Sequence, residues 1–219
     1  MPEWRAPSLP AAGTLPDTWG TRVTDIISLK REMRRAMRDA RLKHWQALPD
    51  AHRALIFGRP PRAILHLIES AEIVGLYRSV PGELPTKRYA RHMLDLGKMI
   101  ALPWTREHAG PMRFRLLTGS EETLELGPWG PQPHMAMPEV VPDALFMPLV
   151  AFDASLNRLG QGGGHYDGWC AAHPDTRRIG LAWTVQQAEA VPTDDHDMPL
   201  DAVITEQQVL LPIKERHLP

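Results

Sequence analysis

The residue types best suited to chemistry lie in one run, Arg158-Leu159-Gly160-Gln161-Gly162-Gly163-Gly164-His165-Tyr166-Asp167. Four glycines within five positions free the backbone to take positive φ and to approach a ligand closely. The apolar stretch Ala144 to Phe152 before it reads as a strand, and a helix is expected from about Asp167. A loop between a strand and a helix N-terminus turns free backbone N–H groups and the positive end of the helix dipole toward an anion, phosphate above all. Arg158 can add a bidentate clamp on phosphate oxygens. Asp167 can cap the helix. No Gly-Lys-Ser/Thr follows, so this is not a Walker loop, and His165 stands where the dinucleotide fingerprint needs its last glycine. On the residues alone, a tight glycine-rich turn with no ligand stays open.

A second group of charges precedes it. Residues 24–47 read as a helix that Thr24 or Asp25 can cap, with Ile26, Met33, Met37 and Ala40 near helical spacing. The opposite surface is basic: Lys30, Arg31, Arg34, Arg35, Arg38, Arg41 and Lys43. Lys30 and Arg34 lie one turn apart on one face. A solvated basic face is the ordinary reading of such a run. Near the C-terminus Asp194, Asp195, Asp197 and Asp201 crowd together, and spacing alone does not choose among them. His196 sits among them, but one cysteine and the lack of a partner histidine at ligand spacing argue against zinc.

The elements that must hold these residues follow an alternating order. Ile73 to Tyr77 and Met99 to Leu102 read as strands around a helix from Pro85 to Leu96; Ile179 to Trp183 and Ala202 to Thr205 read as two more strands. Residues 51–69 look like a broken second helix, and the Pro-, Gly- and Trp-rich stretch 104–142 like a hairpin and surface excursion. Strand–helix–strand order implies a parallel sheet with right-handed crossovers. The expected fold is therefore α/β: a single three-layer α-β-α domain over residues 23–219, with a mostly parallel central sheet. Residues 1–22, with four prolines and no periodicity, are expected to form a flexible N-terminal extension. Trp104, Trp129, Trp169 and Trp183 are read as core.

Bulk properties narrow the function class. The chain has 219 residues and a formal net charge of −1, so no global field draws it to nucleic acid or an anionic membrane. The single Cys170 excludes an internal disulfide. No apolar run approaches the roughly 20 residues a bilayer span requires, and the N-terminus does not read as a signal peptide. A cytoplasmic protein without nucleic-acid or membrane partners is expected.

Taken as a set, the motifs resemble the 5-formyltetrahydrofolate cyclo-ligase (5,10-methenyltetrahydrofolate synthetase) family over about residues 28–207. The loop matches Arg-Leu-Gly-x-Gly-x-Gly-aromatic-Tyr-Asp, with His165 in place of the first aromatic. Lys30-x-x-x-Arg34, Tyr77 to Thr86 with Glu83, Asp143 to Phe152, Ile179 to Trp183, Gln186 or Gln187, and His196 to Thr205 follow in family order.

The resemblance implies an architecture like that of the sugar-phosphate isomerases and CoA transferases. It also implies an ATP- and Mg²⁺-dependent ring closure, in which the formyl oxygen on N5 takes the γ-phosphoryl group, N10 attacks the formyl carbon, and phosphate leaves. It implies ATP contacts from Lys30, Arg34, Arg158, Gly160, Gly162, Gly163, Gly164 and Tyr166, with Arg158 and Tyr166 catalytic. Arg78, Glu83, Gln161 and His165 would contact the folate, and Asp167 and Asp197 would hold Mg²⁺. The substrate would be 5-formyltetrahydrofolate, polyglutamylated or not, and a monomer is expected. Two other readings are a non-catalytic reduced-folate-binding paralogue and an ATP-independent sugar-phosphate isomerase of like architecture.

Overall fold

The computed structural model describes residues 19–49, 56, 58–118 and 124–212. Its centre is an eight-stranded sheet: β1 (Ile73–Gly75), β2 (Met99–Trp104), β3 (Arg113–Leu116), β6 (Glu139–Val140), β7 (Ala144–Pro148), β10 (Arg177–Leu181), β11 (Ala202–Ile204) and β12 (Val209–Leu210). The spatial order is β12-β11-β10-β7-β1-β2-β3-β6. The five inner strands, from β11 through β2, are parallel; β12 at one edge and β3 at the other run against them, and β6 pairs antiparallel with β3. β4 (Glu125–Gly127) with β5 (Gly130–Gln132), and β8 (Ala151–Phe152) with β9 (Arg158–Leu159), form two separate hairpins.

Parallel strands bury both faces, so their residues are apolar in both directions. Val74, Ile100, Phe146, Ile179 and Ile204 join Ile64 and Ile68, and Tyr89 and Met93 of helix α3 (Lys87–Asp95), on one face. Ile68 ends the short helix α2 (Leu65–Ile68). On the other face Leu145, Met147 and Val203 meet Trp169 and Cys170 of α4 (His165–Ala172). This is the expected α-β-α sandwich. No helix among the described residues is long and apolar enough to cross a membrane.

Several boundaries differ from expectation. The first helix, α1, spans Trp19–Ala47, so Thr24 and Asp25 lie inside it and do not cap it. The expected N-terminal extension lies outside the described residues up to position 18. Much of 51–57 lies outside them too, and over 58–69 the expected second helix is reduced to a 3₁₀ turn at Arg62–Ile64 and α2. The expected strand from 144 to 152 is two strands in two sheets, broken at Leu149-Val150, and α4 starts at His165 rather than Asp167.

The sheet's topology locates a crevice. From β1 the chain crosses over α3 to β2 on one side, whereas β7 neighbours β1 on the other and leads through α4 to β10. Connections leave in opposite directions at this point, and open α/β sheets bind ligands there, beyond the carboxyl ends of the strands. The loop after β1 carries Glu83, the connection after β7 carries the glycine run, and the segment between β10 and β11 carries Asp194 and Asp197.

Candidate active site

The glycine run is anchored from below by a buried carboxylate. Asp153 accepts hydrogen bonds from the backbone N–H groups of Ser155, Asn157 and Val191 and from the Asn157 side chain, which fixes the β8–β9 turn. β9 then delivers Arg158, 4 % exposed, to the start of the loop. Gly162 has φ +104° and Gly164, the residue that caps α4, has φ +66°, both conformations that a side chain would strain. A Cβ on Gly162 would also stand 3.3 Å from the Arg34 guanidinium. The glycines are thus required by backbone conformation and by close approach of a cation.

α1 lies over this loop and meets it with a row of cations. The Lys30 ammonium donates to Asp194 Oδ2 (2.6 Å) and Asp197 Oδ2 (2.5 Å). Arg34 Nε donates to the Gly160 carbonyl (3.0 Å), and Arg38 donates to both the side chain and the backbone carbonyl of Gln161. Arg41, one turn on, reaches the Leu149 carbonyl (3.3 Å) and faces Glu83 Oε1 at 3.5 Å. Apolar Met33 and Met37 seat the helix on Val150, Ala151 and Leu159. The expectation of a basic surface opposite the apolar face is therefore corrected for Lys30 and Arg41, both buried, because the packed face itself carries the charge.

Opposite charges answer the cations. Arg158 donates to Asp167 Oδ1 (2.5 Å) and to the Pro148 carbonyl, and its guanidinium lies 5.7 Å from the Tyr166 ring centre. Burial opposes the charge on Lys30, but the hydrogen bonds to Asp194 and Asp197 outweigh it and raise its pKa. The Lys30 bond holds the Asp194 carboxyl below the usual range. Burial and the neighbouring Arg38 cation depress Arg34, and Asp197 and Asp167 act on it in the other direction, so both carboxylates lie within its field. Burial pushes Glu83 up, with Arg41 the largest opposing influence. Burial also pushes Tyr166 far up, so its hydroxyl stays a donor.

These contacts bring Lys30, Arg34, Arg158, the loop Gly160 to Gly164 with Gln161, Glu83, Tyr166, Asp167 and Asp197 together. Glu83 sits in a turn fixed by its own Oε2, which accepts the Val80 N–H (3.2 Å), and Gln161 Nε2 reaches its Oε1 at 3.5 Å. Arg78 is on the same loop but exposed. His165 opens α4 and meets Trp129, at the tip of the β4–β5 hairpin, with ring centres 5.8 Å apart. Trp129 is 63 % exposed and also touches His108, so it is not the core residue expected. Asp194, Arg38 and Arg41 were not singled out from sequence. For the two arginines the signal is the spacing 30, 34, 38, 41, which traces one helical face; for Asp194 spacing offers none.

Known proteins share this chain's sequence pattern and fold. The model of the 5-formyltetrahydrofolate cyclo-ligase family matches residues 26–206. The chain is 35 % identical over 150 residues to a 5-formyltetrahydrofolate cyclo-ligase of Haemophilus influenzae, covering 62 % of this chain and 78 % of that one. It is 33 % identical over 148 residues to that of Escherichia coli K12, with 64 % and 80 % covered. In fold it is similar to the 5,10-methenyltetrahydrofolate synthetase of Aquifex aeolicus, with a TM-score of 0.68 at 24 % identity and 87 % and 96 % of the two chains covered. The Mycoplasma pneumoniae synthetase gives a TM-score of 0.58 at 18 % identity, with 79 % and 98 % covered. With 26–206 matched and the crevice assembled from the family's motifs, the chain belongs to the 5-formyltetrahydrofolate cyclo-ligase family.

Proposed function

We propose that this protein closes 5-formyltetrahydrofolate to 5,10-methenyltetrahydrofolate at the expense of Mg-ATP, releasing ADP and phosphate. The observation that carries this reading is the row of cations on α1, of which Arg34 and Arg38 dock on the glycine-rich loop and Lys30 pairs with Asp194 and Asp197 beside it. Such an arrangement supplies what phosphoryl transfer needs, positioning and charge neutralisation rather than covalent chemistry. Lys30, Arg34 and Arg158 hold phosphate oxygens, and the loop glycines let backbone N–H groups approach them. Glu83, on the facing loop, accepts hydrogen bonds from pterin N–H groups. Tyr166, kept protonated, donates from its hydroxyl.

Asp167 and Asp197 would hold Mg²⁺. Each is a carboxylate now neutralised by a cation, and the bonds described use one oxygen of each. One or two carboxylates with phosphate oxygens and waters is the donor set Mg²⁺ prefers. When bound, the ion neutralises charge on the transferring phosphoryl group. The ion pairs with Asp197 and Asp167 hold Lys30 and Arg158 where they would meet phosphate oxygens.

The test is absorbance of the methenyl product on adding 5-formyltetrahydrofolate with Mg-ATP, without ATP, and with ATP in excess chelator. Product only in the first case is expected. Full-rate formation without ATP or in chelator overturns the reading, and binding of the folate with no product in any case favours the non-catalytic paralogue.

A further inference from the structure

Arg41 has no part in the phosphate contacts just described, yet it is among the most deeply placed charges in the crevice. Its side chain and that of Glu83 are each 9 % exposed, and NH1 stands 3.5 Å from Glu83 Oε1. The same nitrogen donates to the Leu149 carbonyl, at the break between β7 and β8. Nε is buried without a hydrogen-bond partner among the described residues. The turn it faces is built to receive it. Gly82 has φ +92°, a Cβ there would lie 3.5 Å from Arg41 Nε, and the Gly82 carbonyl is clamped to the core by Trp183 Nε1 at 2.9 Å. A buried cation costs several kcal/mol in desolvation unless it is well paired. A single 3.5 Å contact and one carbonyl do not make this pairing good for stability alone.

We propose that Arg41 is a positioning residue for the reaction: it keeps the Glu83 carboxylate charged and turned toward the folate. The inference rests on the reading of Glu83 as a pterin acceptor. Two N–H donors of a pterin need two acceptor oxygens. A carboxylate presents both, whereas a carboxylic acid offers one and turns a donor against the other. Burial drives Glu83 toward the acid form. The groups facing it are Arg41 from α1, Gln161 from the glycine loop, Tyr77 and the Val80 N–H from its own loop, and Tyr166 from α4. Tyr77 and Tyr166 are kept as neutral phenols by burial, and Gln161 is neutral, so Arg41 is the cation that opposes protonation.

The sign is set by that opposition. Removing the cation lets Glu83 take up its proton at higher pH, so folate binding is lost earlier as pH falls. The measurement is KM for 5-formyltetrahydrofolate and for ATP from mildly acidic to mildly basic pH. Arg41→Gln is expected to raise the folate KM about tenfold or more at the acidic end, the loss of a hydrogen-bonded charge. The rise at the basic end is much smaller, and KM for ATP holds. Arg41→Lys keeps the cation and reproduces the wild-type pH profile. Glu83→Gln raises the folate KM by a similar factor at every pH. An Arg41→Gln effect that is uniform across pH, or absent, overturns the proposal and leaves the Glu83 reading standing. A Glu83→Gln variant with wild-type folate KM removes that reading and the proposal with it. Should Arg41→Gln alone not fold, the double variant Arg41→Gln/Glu83→Gln leaves no unpaired buried charge. Its folate KM is expected to match that of Glu83→Gln, and a further tenfold rise would show that Arg41 acts on its own, against the proposal.

Discussion

In α3 the packed face is Tyr89 and Met93, both fully buried, and Lys87, Arg88 and Arg91 lie on the solvent side. In α1 the packed face runs Lys30, Met33, Arg34, Met37 and Arg41, with cations between the methionines, and the outward side is basic as well. Both helices are rich in Lys and Arg, and both show apolar residues at helical spacing. The difference is what they pack on. α3 covers apolar sheet, where a charge would be stranded without a partner. α1 covers a loop of glycines, exposed carbonyls and the carboxylates Asp194, Asp197 and Glu83, which supply acceptors for every cation it turns inward. Ion pairs of this kind are weak evidence for stability, since apolar residues of like volume would hold the helix as well. Their presence on a packed face is what the proposed role of α1 in the site accounts for and stability alone does not.

The comparison breaks first at Met93. This side chain is 0 % exposed in the core cluster beneath α3. Met93→Ala should lower stability by about 2–5 kcal/mol, the cost of a buried methionine and the cavity it leaves. KM for ATP and for folate should hold below the melting transition. Thermal unfolding together with steady-state kinetics checks both halves, and a large change in either KM would mean that α3 also serves the site.

Lys30 is the mirror case. Lys30→Ala should raise KM for ATP by roughly 10- to 150-fold, the worth of a charge-assisted phosphate contact of about 1.5–3 kcal/mol, and affect the folate KM much less. Wild-type ATP kinetics would reduce Lys30 to a strut between α1 and the Asp194–Asp197 segment.

The legible part of this molecule is what single residue types dictate. Four glycines in five positions and the aspartate after Tyr166 announce a loop at a helix start, and the structure has one. The alternation of apolar runs with α3 announces the parallel sheet. Less legible was which way a charge points. Arg41 and Arg38 look alike in sequence, yet one is 7 % exposed and the other lies at the surface, because only the loops opposite decide whether an inward cation finds acceptors. Asp194 escaped for a related reason: spacing does not separate it from Asp197, and in the fold both converge on one ammonium. The start of α1 was misplaced because Thr24 and Asp25 are good caps, although the helix had already begun at Trp19. The break at Leu149-Val150 hides within a continuous apolar run, since both resulting strands are buried.

The smallest effect tests whether the solvent side of α3 is as inert as its packing suggests. Arg91 Nε and Asp95 Oδ1 lie 3.2 Å apart at i and i+4, with side chains 80 % and 61 % exposed. In water a pair at this distance gains little, loses side-chain entropy and is screened by salt. The order, cation before anion, is also the less favourable one with respect to the helix dipole. Arg91→Ala should therefore change stability by no more than about 0.5 kcal/mol, in a direction that alanine's higher helix propensity can reverse. Both KM values should stay at wild type. This variant removes a cation from a helix just as Lys30→Ala does, so the two together separate loss of charge from loss of charge at the crevice. If Arg91→Ala raised the KM for ATP, the effect of Lys30→Ala could be a general electrostatic one, and the contrast between the helices would collapse. If only Lys30→Ala does so, the acceptors beneath α1 are what give its cations their role.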